Sequence, residues 1–375
     1  MKKRLLYLLL AVCCLTGLAA CQPQDTPTAP ETDEPPAAPT PAPDPAAVYV
    51  DSLTPDEQLA QLFFVRCPET GAAELAAQYN IGGYLLFGRD FEGQTPDSMR
   101  ETIRSYQDAA KTPLLIGVDE EGGTVVRVSA NPSFRAARFG SPQSLYRAGG
   151  LARIISDTAE KDALLRSIGV NVNLGPVCDV STDPNDFIYA RTLGRDAAET
   201  GAYAAAVVAQ MREDGMGMVL KHFPGYGANA DTHTGIAVDE RPLEQFRAVD
   251  FVPFQAGVDA GAQAVLVCHN IVTCMDASLP ASLSPAVHDM LRGELGFDGV
   301  VMTDDLIMDA ITRYTDGADA AVRAVQAGND MLISSDFLTQ FEAVRAAVTS
   351  GQISADTIRA AALRVIRWKM ALSLL

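Results

Sequence analysis

Eight short apolar runs, separated by stretches of helical length, constrain this 375-residue chain more than any other feature. The runs are Leu62 to Val65, Ile81 to Phe87, Leu114 to Val118, Val170 to Val177, Met218 to Leu220, Ala264 to Val267, Val300 to Met302 and Met331 to Ile333. Most are rich in Val, Ile and Leu with little polar alternation, as in parallel strands buried on both faces. Helical stretches fall between them, among them Pro96 to Ala110, Gly150 to Leu165, Ala197 to Glu213, Leu243 to Ala260, Ser284 to Leu295, Ala318 to Ala327 and Phe337 to Thr349. A last helix, about Ala355 to Leu372, has no strand after it. Strand–helix alternation of this kind predicts an α/β fold, a (β/α)8 TIM barrel forming one domain over residues 48–375. A doubly wound open sheet is the structural alternative, and the count of eight favours the barrel.

The segment before this domain reads as processing and tethering sequence. Lys2-Lys3-Arg4 is followed by the uncharged apolar stretch Leu5 to Leu18, too short for a usual membrane span, so residues 1–20 are expected to be a signal peptide. Leu18-Ala19-Ala20-Cys21 resembles a bacterial lipobox, which implies cleavage before Cys21 and acylation of its thiol. Residues 21–47 are then a lipidated cysteine and a disordered tether; residues 22–46 hold nine prolines, five acidic residues and no basic ones. The fold is expected to start near Val48, with Thr54-Pro55-Asp56-Glu57 as an N-cap, a proline and an acidic first turn. The predicted location is extracytoplasmic, with membrane attachment only through lipid. A net charge of −18 argues against nucleic-acid partners and electrostatic adhesion to anionic lipid. Cys67, Cys178, Cys268 and Cys274 sit mostly in or beside apolar runs without paired metal spacing, and are expected to be free thiols.

In a barrel, chemistry gathers where strands end. The third run ends in Asp119-Glu120-Glu121-Gly122-Gly123 with Arg127 beyond; the fourth in Pro176, Cys178 and Asp179, with Arg191 in its loop. The fifth opens into Lys221-His222-Phe223-Pro224-Gly225 and reaches Asp231-Thr232-His233, so two of the chain's four histidines fall within thirteen positions. The sixth ends in Cys268-His269-Asn270 and the seventh in Thr303-Asp304-Asp305. Each acid alone reads equally well as an N-cap for the next helix; five such endings together point to a site. Asp304 suits a nucleophile or charge stabiliser, and His233 oriented by Asp231 suits proton transfer near neutral pH. Lys221, Arg127 and Arg191 offer donors to hydroxyls or carbonyls, which fits a neutral polyol or amide-bearing sugar better than a phosphate. A zinc site built from His222, His233, His269 and Asp304 is the competing reading, but the early-strand His-x-His of barrel amidohydrolases is missing. No metal and no other cofactor are expected.

Together these residues resemble glycoside hydrolase family 3, specifically its β-N-acetylglucosaminidase branch. The matching pieces are Asp119-Glu120-Glu121-Gly122-Gly123 with Arg127, Arg191 in Ala-Arg-Thr-Leu-Gly, Lys221-His222-Phe223-Pro224-Gly225, Asp231-Thr232-His233, and Gly296-Phe297-Asp298-Gly299-Val300 running to Thr303-Asp304-Asp305-Leu306. The resemblance implies a retaining exo-hydrolase in which Asp304 forms a glycosyl-enzyme, His233 is acid and base, and Asp231 assists it. It implies that Asp119, Arg127, Arg191, Lys221 and His222 hold the sugar. The substrate would be an N-acetylglucosamine-containing oligosaccharide from cell-wall muropeptides or chitin. Separately from the resemblance, a monomer is expected. Tyr226 stands where this branch often has His, Thr124 replaces a common Arg, and the Gly227–Asp231 loop is about one residue short. Adjacent strand residues face opposite sides, so only one of Asp304 and Asp305 can point into the mouth; the resemblance selects Asp304, and Asp305 is expected to cap the next helix. Two alternatives remain open: a phosphorylase of the same family, and a non-catalytic sugar-binding lipoprotein.

Overall fold

The computed structural model describes residues 43–229 and 235–375, and the expected leader, Cys21 and most of the tether lie outside them. Eight parallel strands form one sheet: β1 (Phe63–Arg66), β2 (Gly83–Leu86), β3 (Leu115–Val118), β4 (Val172–Asn173), β5 (Gly217–Phe223), β7 (Ala264–Val267), β9 (Val300–Thr303) and β10 (Leu332–Ser334). β1 pairs with β10, placing Phe63 opposite Leu332, and a parallel bridge between Met302 and Met331 joins the last two strands. The sheet thus closes on itself as a barrel. Two strands that carry no apolar run, β6 (Val238–Asp239) and β8 (Ile271–Val272), form a separate parallel ribbon beyond the ends of β5 and β7.

Strand alternation divides the core. Phe64, Leu85, Leu115, Val219, Leu266, Met302 and Ile333 pack together inside the barrel. Their chain neighbours, such as Phe63, Tyr84, Ile116, Leu220, Val265 and Val301, belong to the outer layer shared with the helices. Gly117 shows how tight the interior is, because a Cβ there would lie 2.4 Å from the Phe64 ring. The final helix, Ala355–Ala371, sends Val365 and Trp368 into the interior cluster. Trp368 Nε1 donates to Gln263 Oε1 at 2.9 Å, and buried Lys369 donates to Gln61 Oε1 at 2.6 Å. Gln61 and Gln263 precede β1 and β7, so this helix closes the end where strands begin and leaves the other end for a site.

Several boundaries differ from the sequence expectation. The fold starts before Val48: Asp44 caps a helix at Pro45–Asp51 that buries Ala46 and Val50. Arg359 and Arg367 of the last helix bind Asp51 and Asp44 at 2.6 Å. Two apolar side chains on one helical face, anchored by ion pairs, outweigh the proline-rich composition that assigned residues up to 47 to the tether. The fourth run keeps only two residues as strand, whereas the fifth extends through its polar end to Phe223. The helix predicted from Gly150 spans Pro142–Ser167, with non-helical geometry at Gly149 and Gly150. Cys67, Cys178, Cys268 and Cys274 are free thiols.

Candidate active site

A cavity of about 410 Å³ opens at the carboxyl ends of the strands. Asp119, Arg127, Arg191, Lys221, His222 and Asp304 all line it. Four strand ends and their loops, after β3, β4, β5 and β9, therefore bring the described candidate residues to one place. Asp231 and His233 lie outside the described residues.

The three acids after β3 divide their work. Asp119 accepts from Lys221 Nζ at 2.6 Å and lies 3.5 Å from Arg127 Nη2. Glu120 turns away from the cavity; its carboxylate takes backbone N–H bonds from Arg127 at 2.8 Å and Val128 at 2.7 Å, which fixes the turn carrying Arg127. Asn173 on β4 secures the same turn by bonding both the N–H and the C=O of Glu120. Gly122, at φ +97°, allows the close approach, since a Cβ there would sit 2.2 Å from Gly140 O. Glu121 is buried and takes Arg191 in a two-pronged pair, Nε to Oε2 at 3.0 Å and Nη2 to Oε1 at 2.7 Å. The Lys221 ammonium sits 2.7 Å from Glu121 Oε1. Burial works against the charge on Glu121, but Lys221 and Arg191 outweigh it and hold its carboxyl far below the ordinary range. Burial likewise opposes the Arg191 cation, and Glu121 more than restores it.

The second layer runs through β5. The register with β7 shifts between Leu220 and Phe223, and the consecutive side chains of Lys221 and His222 both reach the cavity. His222 Nδ1 lies 2.8 Å from Asp179 Oδ2, and its Nε2 lies 3.1 Å from Arg191 Nη2. A ring protonated on Nδ1 satisfies both contacts, because the guanidinium can only donate. Asp179 also accepts from the backbone N–H of His222 at 3.1 Å and of Tyr226 at 2.8 Å. Tyr226 is buried with its ring edge-on to His222, centroids 5.2 Å apart. Glu121 and Asp179 are thus structural members of the site that the residue-by-residue reading did not single out. Glu121 shares strand-like parity with Asp119 two positions away, a signal that was available. Asp179 stood at the end of the fourth run, where taken alone it read equally well as an N-cap.

On β9 the interior residues Val300 and Met302 are followed, at the same parity, by Asp304. Its Oδ1 accepts from the Asp305 N–H at 2.8 Å. Asp305 does not cap the next helix. It accepts from the N–H groups of Ser335 at 3.2 Å and Ile307 at 3.3 Å and pairs with the Ser335 hydroxyl, so it braces two strand-end loops together. The short helix that follows, Asp309–Thr312, begins after Met308 instead. His269 is fully buried behind the site, 2.7 Å from Ser282 Oγ and 3.1 Å from Asp305 O. Among the described residues no group of three or more His, Cys, Asp or Glu is placed to hold a metal ion.

Comparison with known proteins agrees with this fold. Residues 54–368 match the family model described as the glycosyl hydrolase family 3 N-terminal domain. The chain is 38% identical over 266 residues to a beta-hexosaminidase of Stenotrophomonas maltophilia, covering 68% of this chain and 76% of that protein. It is 30% identical over 376 residues to the beta-hexosaminidase LpqI of Mycobacterium tuberculosis, covering 94% of each. Among solved structures, a family 3 beta-N-acetylglucosaminidase from Paenibacillus sp. superposes with a TM-score of 0.81 at 28% identity. That match covers 86% of this chain and 63% of the Paenibacillus protein. The M. tuberculosis LpqI structure gives a TM-score of 0.79 at 28% identity over 86% of this chain and 96% of LpqI. A closed eight-stranded barrel, a site at its carboxyl end and a family match across most of the chain lead to one conclusion: this protein belongs to glycosyl hydrolase family 3.

Proposed function

We propose that the chain is a retaining exo-β-N-acetylglucosaminidase with Asp304 as its nucleophile. The observation that carries this is Asp304 on the wall of a cavity that also presents Asp119, Arg127, Arg191, Lys221 and His222. The named relatives are beta-hexosaminidases, and the Paenibacillus neighbour is a beta-N-acetylglucosaminidase. In the first step Asp304 forms a bond to the anomeric carbon while the bond to the leaving oxygen breaks. His233 gives its proton to that oxygen and Asp231 stabilises the cationic ring. In the second step His233 takes a proton from water, whose oxygen displaces Asp304 and releases the free sugar. Asp119, Arg127, Arg191, Lys221 and His222 hold the hydroxyls and the N-acetyl group throughout. Asp119 paired with Lys221 and Arg127, Glu121 with Arg191, and Asp179 with His222 fix them before substrate arrives, which removes reorganisation from the reaction step.

Asp304→Ala is expected to lower turnover of an aryl β-N-acetylglucosaminide by roughly 10⁴-fold or more, the scale on which removed nucleophiles cost. Undiminished turnover would reject the assignment. Incubation with muropeptides and with chitobiose, followed by mass analysis, identifies the natural aglycone. The same proposal places Cys21 as a lipid anchor and residues up to 42 as leader and tether. Among the described residues no helix is long and apolar enough to cross a membrane. Cys21→Ser should move the protein from the membrane to the soluble fraction.

A further inference from the structure

Beyond the cavity, Arg241 is the most heavily bonded cation among the described residues, and no substrate-facing role accounts for it. Its Nε donates to both oxygens of Asp239 at 3.0 Å, and its Nη2 to Asp239 Oδ2 at 2.8 Å. Its Nη1 donates to Asp250 Oδ2 at 2.9 Å, and its Nη2 reaches Gly225 O at 3.4 Å. The guanidinium lies over the Phe246 ring, 4.3 Å from the centroid. Arg241 does not line the 410 Å³ cavity.

What Arg241 joins is informative. Gly225 belongs to the segment that leaves β5; Asp239 ends β6, which is held to β8. Asn229 completes the junction, its side-chain amide donating to Asp239 Oδ2 at 2.6 Å and to Tyr226 O at 2.8 Å. Thr273 fixes Asp239 from the other side through two bonds to its carbonyl, at 2.9 and 3.0 Å. The glycines fit this contact: a Cβ on Gly227, at φ +56°, would lie 2.6 Å from the Arg241 guanidinium, and one on Gly225 2.3 Å from Asp250 Oδ1. Residues 225–229 and 239 are therefore two stems gathered on one guanidinium, and Asp231 and His233 lie between those stems in sequence.

We infer that Arg241 is a positioning residue that clasps both stems of the loop carrying the proton donor, and so sets the protonation of the leaving group rather than the binding of the sugar. The inference rests on the reading of His233 as general acid. Only a guanidinium fork can serve four acceptors arranged this way; a lysine keeps the charge but supplies a single point donor.

Leaving-group dependence separates this role from simple support of the fold. A dinitrophenyl N-acetylglucosaminide departs without a proton, whereas chitobiose needs one. Arg241→Lys, Asn229→Ala and His233→Ala are compared with the parent enzyme by the ratio of kcat/KM for the two substrates. General acid assistance is worth about 10²–10⁴-fold, so His233→Ala should raise the ratio by that order. Arg241→Lys should raise it at least about thirtyfold, and Asn229→Ala, which loosens one stem only, by a smaller factor of the same sign. If His233→Ala raises the ratio but both other variants stay within about threefold of the parent, the clasp is overturned and the acid assignment stands. A flat ratio in His233→Ala overturns the acid assignment and the clasp with it. If Arg241→Lys fails to fold, Asn229→Ala decides alone, and a flat ratio there rejects the inference.

Discussion

Replacing Glu121 by Gln tests whether the ion-pair hub is what holds Lys221 and Arg191 in the cavity wall. The substitution keeps shape and removes one negative charge from between two cations. The side chains of Glu121 and Lys221 are each 2% exposed and that of Arg191 15%, so water cannot compensate. Removing one partner of a buried pair costs about 3–5 kcal/mol. Asp119 stays 2.6 Å from Lys221 and keeps that ammonium partly paired, which puts the expected loss near the lower end, about 3 kcal/mol. The protein offers its own probe: Trp368 is the single tryptophan, is buried, and sits at the opposite end of the barrel, so its emission in a urea titration reports global unfolding. The sign of the pH dependence follows from the depressed folded-state value of Glu121. Its stabilisation is fully present above the unfolded carboxyl pKa, about 4.3, and is lost as pH falls through the lower folded value. The gap between parent and variant should therefore be constant from pH 8 to pH 5. KM should rise too, because Lys221 and Arg191 line the cavity and Glu121 does not. A variant within about 0.5 kcal/mol of the parent at pH 7 would refute the hub as a source of stability.

Two further substitutions probe the barrel. Gly117→Ala forces a methyl to within 2.4 Å of the Phe64 ring and should destabilise by about 1–3 kcal/mol, measured by the same titration. Lys369 is buried, and burial pushes its pKa well below the ordinary value, so in the window between its folded and unfolded pKa the unfolded chain binds the extra proton. The parent should therefore gain stability with rising pH across that window, by up to about 1.4 kcal/mol per unit, and Lys369→Met should remove that slope. An identical pH profile in the variant would contradict a buried, proton-poor lysine.

The sequence carried the architecture because its signal is local. Parallel strands covered on both faces must be continuously apolar, so eight of them announce themselves as eight runs, and helices of ordinary length can only lie between. The family resemblance and strand parity together chose Asp304, and the structure gives it the parity of the interior residues Val300 and Met302. Asp119, Arg127, Arg191, Lys221 and His222 were legible because each follows a run, and a closed barrel brings run ends to one rim. What was hidden depends on partners far away in sequence. The Pro45–Asp51 helix is helical because the last helix, more than 300 residues later, binds it. β6 and β8 are two residues long and exist only as each other's partner.

The composition and order of the chain by themselves determined a barrel and which of the described polar side chains gather at the rim where its strands end. Only the tertiary structure decided how those side chains divide their work. Three consecutive acids are identical in kind, yet Asp119 faces the cavity, Glu120 ties a turn and Glu121 anchors two cations. Asp305 braces a loop instead of a helix, and Arg241, unremarkable in sequence, holds the junction of two stems. The physical reason is that a carboxylate or guanidinium takes its role from the charge and hydrogen-bond partners around it, and those partners meet only when the sheet closes.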